Sequence, residues 1–199
     1  LTTRKSIWNW PVGILAGILL SILFYQIRLY SDFFEQMYVL ITGSWGWVVW
    51  TKFSKAKNSK EKKEGEVRRS SVGDLVLTGI ALLLGTVFLG LFMANIHIYF
   101  PSWFPEPASF PFLDAFTTVA SFAAQILLIY KRVENWYLWI VIDVIGVWLY
   151  YEKEVKFVAV LYFIFLVLAT KGMLAWRKEL AVREGKVVQK RTREEVTRL

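Results

Sequence analysis

"KRVENWYLWIVIDVIGVWLYY", Lys131–Tyr151, decides the fold. A basic turn and an Asn-Trp pair open a mostly apolar run about as long as a bilayer is thick. Near the other end of the chain, "KSIWNWP", Lys5–Pro11, opens a second apolar run in the same way. Sliding the chain against itself by 126 residues places Asn9-Trp10 on Asn135-Trp136 and Lys5 on Lys131. The same shift sets Tyr25 on Tyr151, Gly46 on Gly172 and Trp50 on Trp176. Ten of the 48 positions from Lys5 to Lys52 are then identical without a gap, and hydropathy matches along most of the rest. Apolar segments match easily by chance; the shared Asn-Trp, Gly and Trp positions lift this match above that background and point to an internal duplication.

Composition places both copies in a membrane. Of the 199 residues, 56% are hydrophobic and 17% aromatic, with a mean hydropathy of +0.43. A soluble domain of this length is rarely so apolar. Six runs read as spans, at 8–29, 32–51, 74–95, 112–130, 135–151 and 155–177. Helices are the expected form, because every backbone amide in the bilayer needs an internal partner. The first run is too long for a secretory signal and has no small-residue cleavage site. Without cysteine there is no disulfide, thiolate nucleophile or thiolate metal site. His97 is a lone loop histidine, so neither a metal nor a cofactor is expected.

The net charge of +8 lies in loops and tail. Segment 51–71, "TKFSKAKNSKEKKEGEVRRSS", holds eight Lys/Arg, whereas 96–111, "IHIYFPSWFPEPASFP", holds none and carries four of the five prolines. Lys131 and Arg132 sit in the next turn, and the tail "RKELAVREGKVVQKRTREEVTRL" is again basic. The positive-inside rule puts the 51–71 loop, the 131–134 turn and the C-terminus in the cytoplasm. The expected protein is multi-pass in a bacterial inner membrane, and its basic segments touch anionic lipid rather than nucleic acid. The 96–111 loop reads as an irregular outer connector. A homo-oligomer is compatible with all of this.

The duplication predicts more. Span 112–130 precedes "KRVENW" in the second copy, and its counterpart in the first would precede residue 1. The expected fold class is therefore an all-α membrane protein on a seven-helix, three-one-three plan. Two parallel three-helix bundles are joined by a linker helix, and the first helix is absent from this chain. The expected organisation is 1–51 for the first bundle, 52–73 for the basic loop and 74–95 for the linker helix. The external loop is 96–111, the second bundle 112–177 and the basic tail 178–199. Parallel repeats of this kind are a transporter plan, with the substrate at the repeat interface.

Polar stripes mark where a substrate could lie. Asp114, Thr118, Ser121 and Gln125 are spaced by 4, 3 and 4, which puts them on one helical face. Trp136, Trp139, Asp143, Gly146 and Tyr150 share a face of the next span. Counted from the turn that joins them, Gln125 lies near the depth of Trp139, and Ser121 and Thr118 near that of Asp143. An ionisable residue inside a membrane is costly, so Asp143 should face protein or water. It could contact the ligand or accept a bond between helices. Asp114, at the outer end, suits an interfacial role. Gln36, Gly43, Trp47 and Trp50 share a face of span 32–51, and Gln36 matches Tyr162 under the repeat. Gly13 and Gly17 form a small-xxx-small pair for close helix packing. Trp8, Trp50, Trp103 and Trp176, at span ends, read as interfacial belt residues.

Two other classes fare worse. An intramembrane aspartyl hydrolase needs two carboxylates at one depth, and Asp114 and Asp143 differ in depth. A scaffold or receptor would favour an apolar interior, against which the stripes argue. No phosphate-cradling glycine loop appears, so direct ATP drive within the chain is not expected.

"ENWYLWIVIDVIGVWLYYEKEVKFVAVLYFIFLVLATKGMLAWRK", with "IWNWPVGIL", "LYSDFFEQMYVL" and "GWVVW", resembles the PnuC family of bacterial vitamin transporters. So does the pattern N-W-x-x-W-x-x-x-D preceded by "DAFTTVASFAAQ". The resemblance covers nearly all of the chain except the 52–72 loop and the tail. It implies a non-enzymatic carrier of nicotinamide riboside, a vitamin B3 precursor of NAD, with a thiamine transporter as the alternative. It also implies facilitated diffusion, with cytoplasmic phosphorylation retaining the vitamin. The family's motif residues fall here on Gln36, Trp47, Gln125, Asn135, Trp136 and Trp139. One departure is Ala16 in "GILA", where family members often carry asparagine in a "GIVN"-like run.

The chemistry suits a flat cation. Tryptophan faces attract a pyridinium ring by roughly 0.5–2 kcal/mol per contact. Gln125 and Asn135 could read carboxamide or ribose groups, since their amides both donate and accept. Asp143 could offset the charge. With Thr118, Ser121 and Tyr162 these residues complete the expected substrate site. Thiamine is also an aromatic cation and satisfies the same logic; riboflavin, neutral and larger, fits less well.

Overall fold

The computed structural model describes residues 6–26, 30–55, 65–102, 104, 106–152 and 154–197. Among these the chain is helical, with α1 (Asn9–Gln26), α2 (Tyr30–Lys55), α3 (Val72–Ala94), α4 (Ile96–Tyr99), α5 (Pro111–Ile129), α6 (Asn135–Glu152) and α7 (Lys156–Thr197). Each of the six expected spans is a helix. Val72–Ala94, Pro111–Ile129 and the Lys156–Gly185 part of α7 are long and apolar enough to cross a membrane on composition alone. Of the others, α1 is apolar over the shorter stretch Asn9–Leu23, and α6 opens on Asn-Trp-Tyr, holds Asp143 and closes on Tyr-Tyr-Glu.

Two details add to the expected organisation. The last span continues into the basic tail as one helix, α7, unbroken through Thr197; its Lys, Arg, Glu and Ala residues are good helix formers. The 96–111 connector contains one turn of helix, α4, and Phe92 stacks on Tyr99 across it at 5.9 Å.

Helix ends follow local chemistry. Ser71 and Asp74 form a reciprocal capping box at the start of α3, each side chain 3.1 Å from the other's backbone N–H. Pro111 stands in the first turn of α5, where its missing N–H costs nothing. Beyond α5 the N–H of Arg132 returns to Leu127 O (2.8 Å) and that of Lys131 to Leu128 O (3.0 Å). This is a Schellman end, with Lys131 at φ 53 where glycine is usual. Beyond α6, Glu154 (φ 59) and Val155 close the turn in the same way, onto Tyr151 and Tyr150.

Packing reveals the repeat. The Trp10 ring lies on Gly46 and meets Trp50 edge-on at 5.3 Å. The Trp136 ring lies on Gly172 and meets Trp176 edge-on at 5.4 Å. Hairpins α1–α2 and α6–α7 are thus two copies of one packing unit. Ile14 fills the space over Gly43, and Leu40 that over Gly17. Nothing lies within 4 Å of a Cβ built on Gly13, so only Gly17 of the small-xxx-small pair sits at a helix contact. Ala120 and Ala124 of α5 pack on Ile142 of α6. Linker helix α3 packs along α5, with Gly85 against Val119 and Gly90 against Phe112. Its remaining surface, including Leu77, Leu83, Leu84 and Phe88, is exposed and apolar, as a lipid-facing surface is.

The tryptophans at the basic end form a core. Trp10, Trp50, Trp136 and Trp176 are buried with Val67, Leu128, Ile129 and Val133. Trp50 and Trp176 were expected in an interfacial belt; their rings are instead enclosed between the hairpins. Trp8 is 67% exposed, as a belt residue is. Trp103 and Lys5 lie outside the described residues.

Candidate functional site

The α5 stripe faces the space between the repeats. Ala120 and Ala124 face α6. Phe122 faces α2: its ring is 3.9 Å from that of Tyr38, whose hydroxyl donates to the Phe122 carbonyl at 3.0 Å. Successive helical residues are turned by about 100°, so Ser121 points between α6 and α2. Gln125 and Thr118 fall on the same side, and all three are half-buried. Asp114 lies in the first turn of α5, where its charge suits the helix dipole. Trp139, half-buried, touches both the α5–α6 contact and the tryptophan core.

Asp143 is set differently. It is 4% exposed and shares the α7-facing side of α6 with Trp136 and Gly146. Tyr162 of α7 covers Gly146 and stacks on Tyr150 at 5.2 Å. The first hairpin repeats this place: Gly17 stands where Asp143 does, and Gln36 where Tyr162 does. The Gln36 Oε1 comes within 3.7 Å of a Cβ built on Gly17. Asp143 and Tyr162 therefore lie on the α6–α7 seam, and Tyr162 also packs against the contact of Ala120 and Ala124 with Ile142. Trp139 stands one helical turn from Asp143, about 6 Å along the helix surface.

The remaining candidates sit toward the basic end. Asn135 is fully buried where α6 begins, and its amide donates to the Arg132 carbonyl. Trp136 is packed as described above. The Trp136 Nε1 and Asn135 Oδ1 atoms are buried without a partner among the described residues, so both keep hydrogen-bonding capacity. Trp47 is 43% exposed. The ten candidates thus form an α5 stripe with Trp139, two matched seam positions and a basic-end cluster. Tyr38, which joins the repeats in mid-helix, went unnoticed in the sequence; a lone tyrosine in an apolar run carries no signal of its partner. Among the described residues no cluster of His, Asp or Glu could hold a metal.

A duplicated helical bundle with polar side chains lining the space between its repeats is the architecture of a multi-pass membrane transporter. The sequence matches the family described as "Nicotinamide mononucleotide transporter" over residues 1–178, and the chain belongs to that family. It is accordingly a transporter and no enzyme. It is 26% identical to the nicotinamide riboside transporter PnuC of Escherichia coli over 189 residues, covering 88% of this chain and 78% of that one. It is 30% identical over 175 residues to the riboflavin/roseoflavin transporter RibM of Streptomyces davaonensis, covering 87% and 76%. The fold matches a crystal structure of the vitamin B3 transporter PnuC with a TM-score of 0.66 at 23% identity, covering 89% of this chain and 74% of that one.

Proposed function

We propose that this transporter carries nicotinamide riboside into the cell by facilitated diffusion with alternating access. The ligand lies between the repeats, with Thr118, Ser121 and Gln125 reading its polar groups and Trp139 offering a ring face. The observation that carries this reading is the α5 stripe, turned into the space between α6 and α2. Buried Asp143, one turn from Trp139, supports a cationic ligand, because a carboxylate in a medium of low dielectric seeks a positive partner. Gln36, Trp47 and Tyr162 complete the site as the repeats close, and Asn135 and Trp136 border it on the cytoplasmic side. The basic end and C-terminus face the cytoplasm of a bacterial inner membrane.

Thiamine satisfies the same cation logic and is the alternative. Likeness to a riboflavin transporter brings in a neutral ligand, which Asp143 disfavours. Calorimetry on purified protein with nicotinamide riboside, thiamine and riboflavin separates the three. Binding of the riboside alone is expected; binding of riboflavin alone would overturn the role given to Asp143. In proteoliposomes held at zero membrane potential, uptake should stop at equal concentrations inside and out whatever ion gradient is imposed. Accumulation driven by an ion gradient at zero potential would overturn facilitated diffusion.

A further inference from the structure

At the basic end, segment 65–71 is clamped to the second repeat. Arg68 N–H donates to Lys131 O and Val133 N–H to Arg68 O, each at 3.1 Å. The Glu134 carboxylate accepts from Ser70 N–H (2.9 Å) and hydroxyl (2.8 Å). Arg132 donates to Arg69 O at 2.7 Å and pairs with Asp74 at 3.1 Å. Arg183 of α7 donates to Val67 O at 2.6 Å and pairs with Glu66. Val67 is thereby pressed into the tryptophan core, fully buried. Helix α3 follows this segment and packs on α5. Segment 65–71 and helices α3, α5, α6 and α7 are therefore tied together by directional bonds.

Helices α1 and α2 are held at this end in another way. Trp50 Nε1 donates to Ile129 O at 3.0 Å. The Lys131 ammonium stands 4.6 Å from the Trp50 ring centroid and 5.7 Å from that of Phe53. Trp45 meets Tyr130 edge-on at 5.8 Å. Apolar contacts within the core complete the joint. The Lys131 ammonium also donates to Gly65 O at 2.7 Å, so one cation touches both sides. It does so from a left-handed backbone position that disfavours any side chain.

We propose that Lys131 is a gating residue. The parting surface runs between Lys131 and Ile129 on one side and Trp50 and Phe53 on the other. Opening toward the cytoplasm breaks the Trp50–Ile129 bond and lifts Trp50 off the Lys131 ammonium, while segment 65–71 stays with the second repeat. Weak contacts of this kind can break and re-form in every cycle. The proposal rests on the alternating-access reading above.

The chain has no cysteine, so Leu128→Cys supplies a single reporter behind the joint, at a position 7% exposed. Its labelling by a membrane-impermeant maleimide is measured in inverted and right-side-out vesicles. Lys131→Met should speed labelling from the basic face by about tenfold, the scale of one lost cation–π contact in a partly desolvated setting. Trp50→Phe, which keeps the ring and loses the donor, should speed it several-fold. Ser70→Ala, which loosens 65–71 from Glu134, should leave it unchanged. Unchanged labelling in both joint variants would overturn the proposal. So would equal acceleration by Ser70→Ala, which would make the segment itself the gate. Labelling needs no ligand, so nicotinamide riboside uptake by the reporter chain tests the substrate reading separately.

Discussion

Trp10 lies across Gly46 as Trp136 lies across Gly172, and each ring meets a second tryptophan four residues beyond its glycine. In both hairpins the indole sits where a Cβ would stand, under 3.0 Å from three ring atoms. The repeat is thus a repeat of contacts as well as of letters.

Gly172→Ala should therefore cost about 1–3 kcal/mol, the usual penalty of overpacking, and Gly46→Ala a similar amount. Thermal unfolding in detergent measures both. Gly13→Ala is the control, because its Cβ meets open space; it should leave the midpoint unchanged or raise it slightly through helix propensity.

Trp136 and Gln125 should separate stability from transport. Trp136→Ala empties a buried ring site and should cost about 3–5 kcal/mol, so it lowers the melting point and uptake together. Gln125→Ala removes a half-buried amide from the α5 stripe and should abolish uptake at nearly unchanged stability. Equal loss of stability in the two variants would make Gln125 a packing residue.

Much of this arrangement was legible in the sequence, and particular residues show where legibility ends. The spans follow from hydropathy, a property of single segments. The 126-residue offset paired Trp10, Gly46 and Trp50 with their counterparts because close packing of indole on glycine tolerates few substitutions. The burial of Trp50 and Trp176 was not legible, since a tryptophan at a span end looks the same whether it faces lipid headgroups or another helix. Nor was the clamp on 65–71. Its bonds use backbone atoms of Gly65, Val67, Arg68 and Arg69, which carry no sequence signature, and the surrounding charges read as a basic loop that touches anionic lipid. Asp143 was placed on the correct helix, but its seam with α7 depends on a rotation that the stripe alone leaves open.

Asp143→Asn tests that placement. The change keeps the volume and removes the charge, so packing against α7 should survive. If the carboxylate offsets a cationic ligand, affinity for nicotinamide riboside should fall by about tenfold or more, as expected for a pair at partly screened distance, while any riboflavin binding should be unaffected. Calorimetry at fixed ionic strength reads both. Unchanged riboside affinity would make Asp143 a helix–helix acceptor.

Glu134→Ala addresses the segment at the basic end. The Ser70 N–H and hydroxyl both end on the Glu134 carboxylate, so the change removes two charge-assisted bonds together, each worth about 1.5–3 kcal/mol at most in this half-buried setting. The amides of 66–71 should then exchange with deuterium faster, and that of Val133, bonded to Arg68 O, should follow. Amides within α1 and α2 should keep their protection, because the hydrogen bonds described above tie the segment to the second repeat. Equal deprotection of α2 would mean that 65–71 holds both repeats, and the parting surface would then have to be drawn through it.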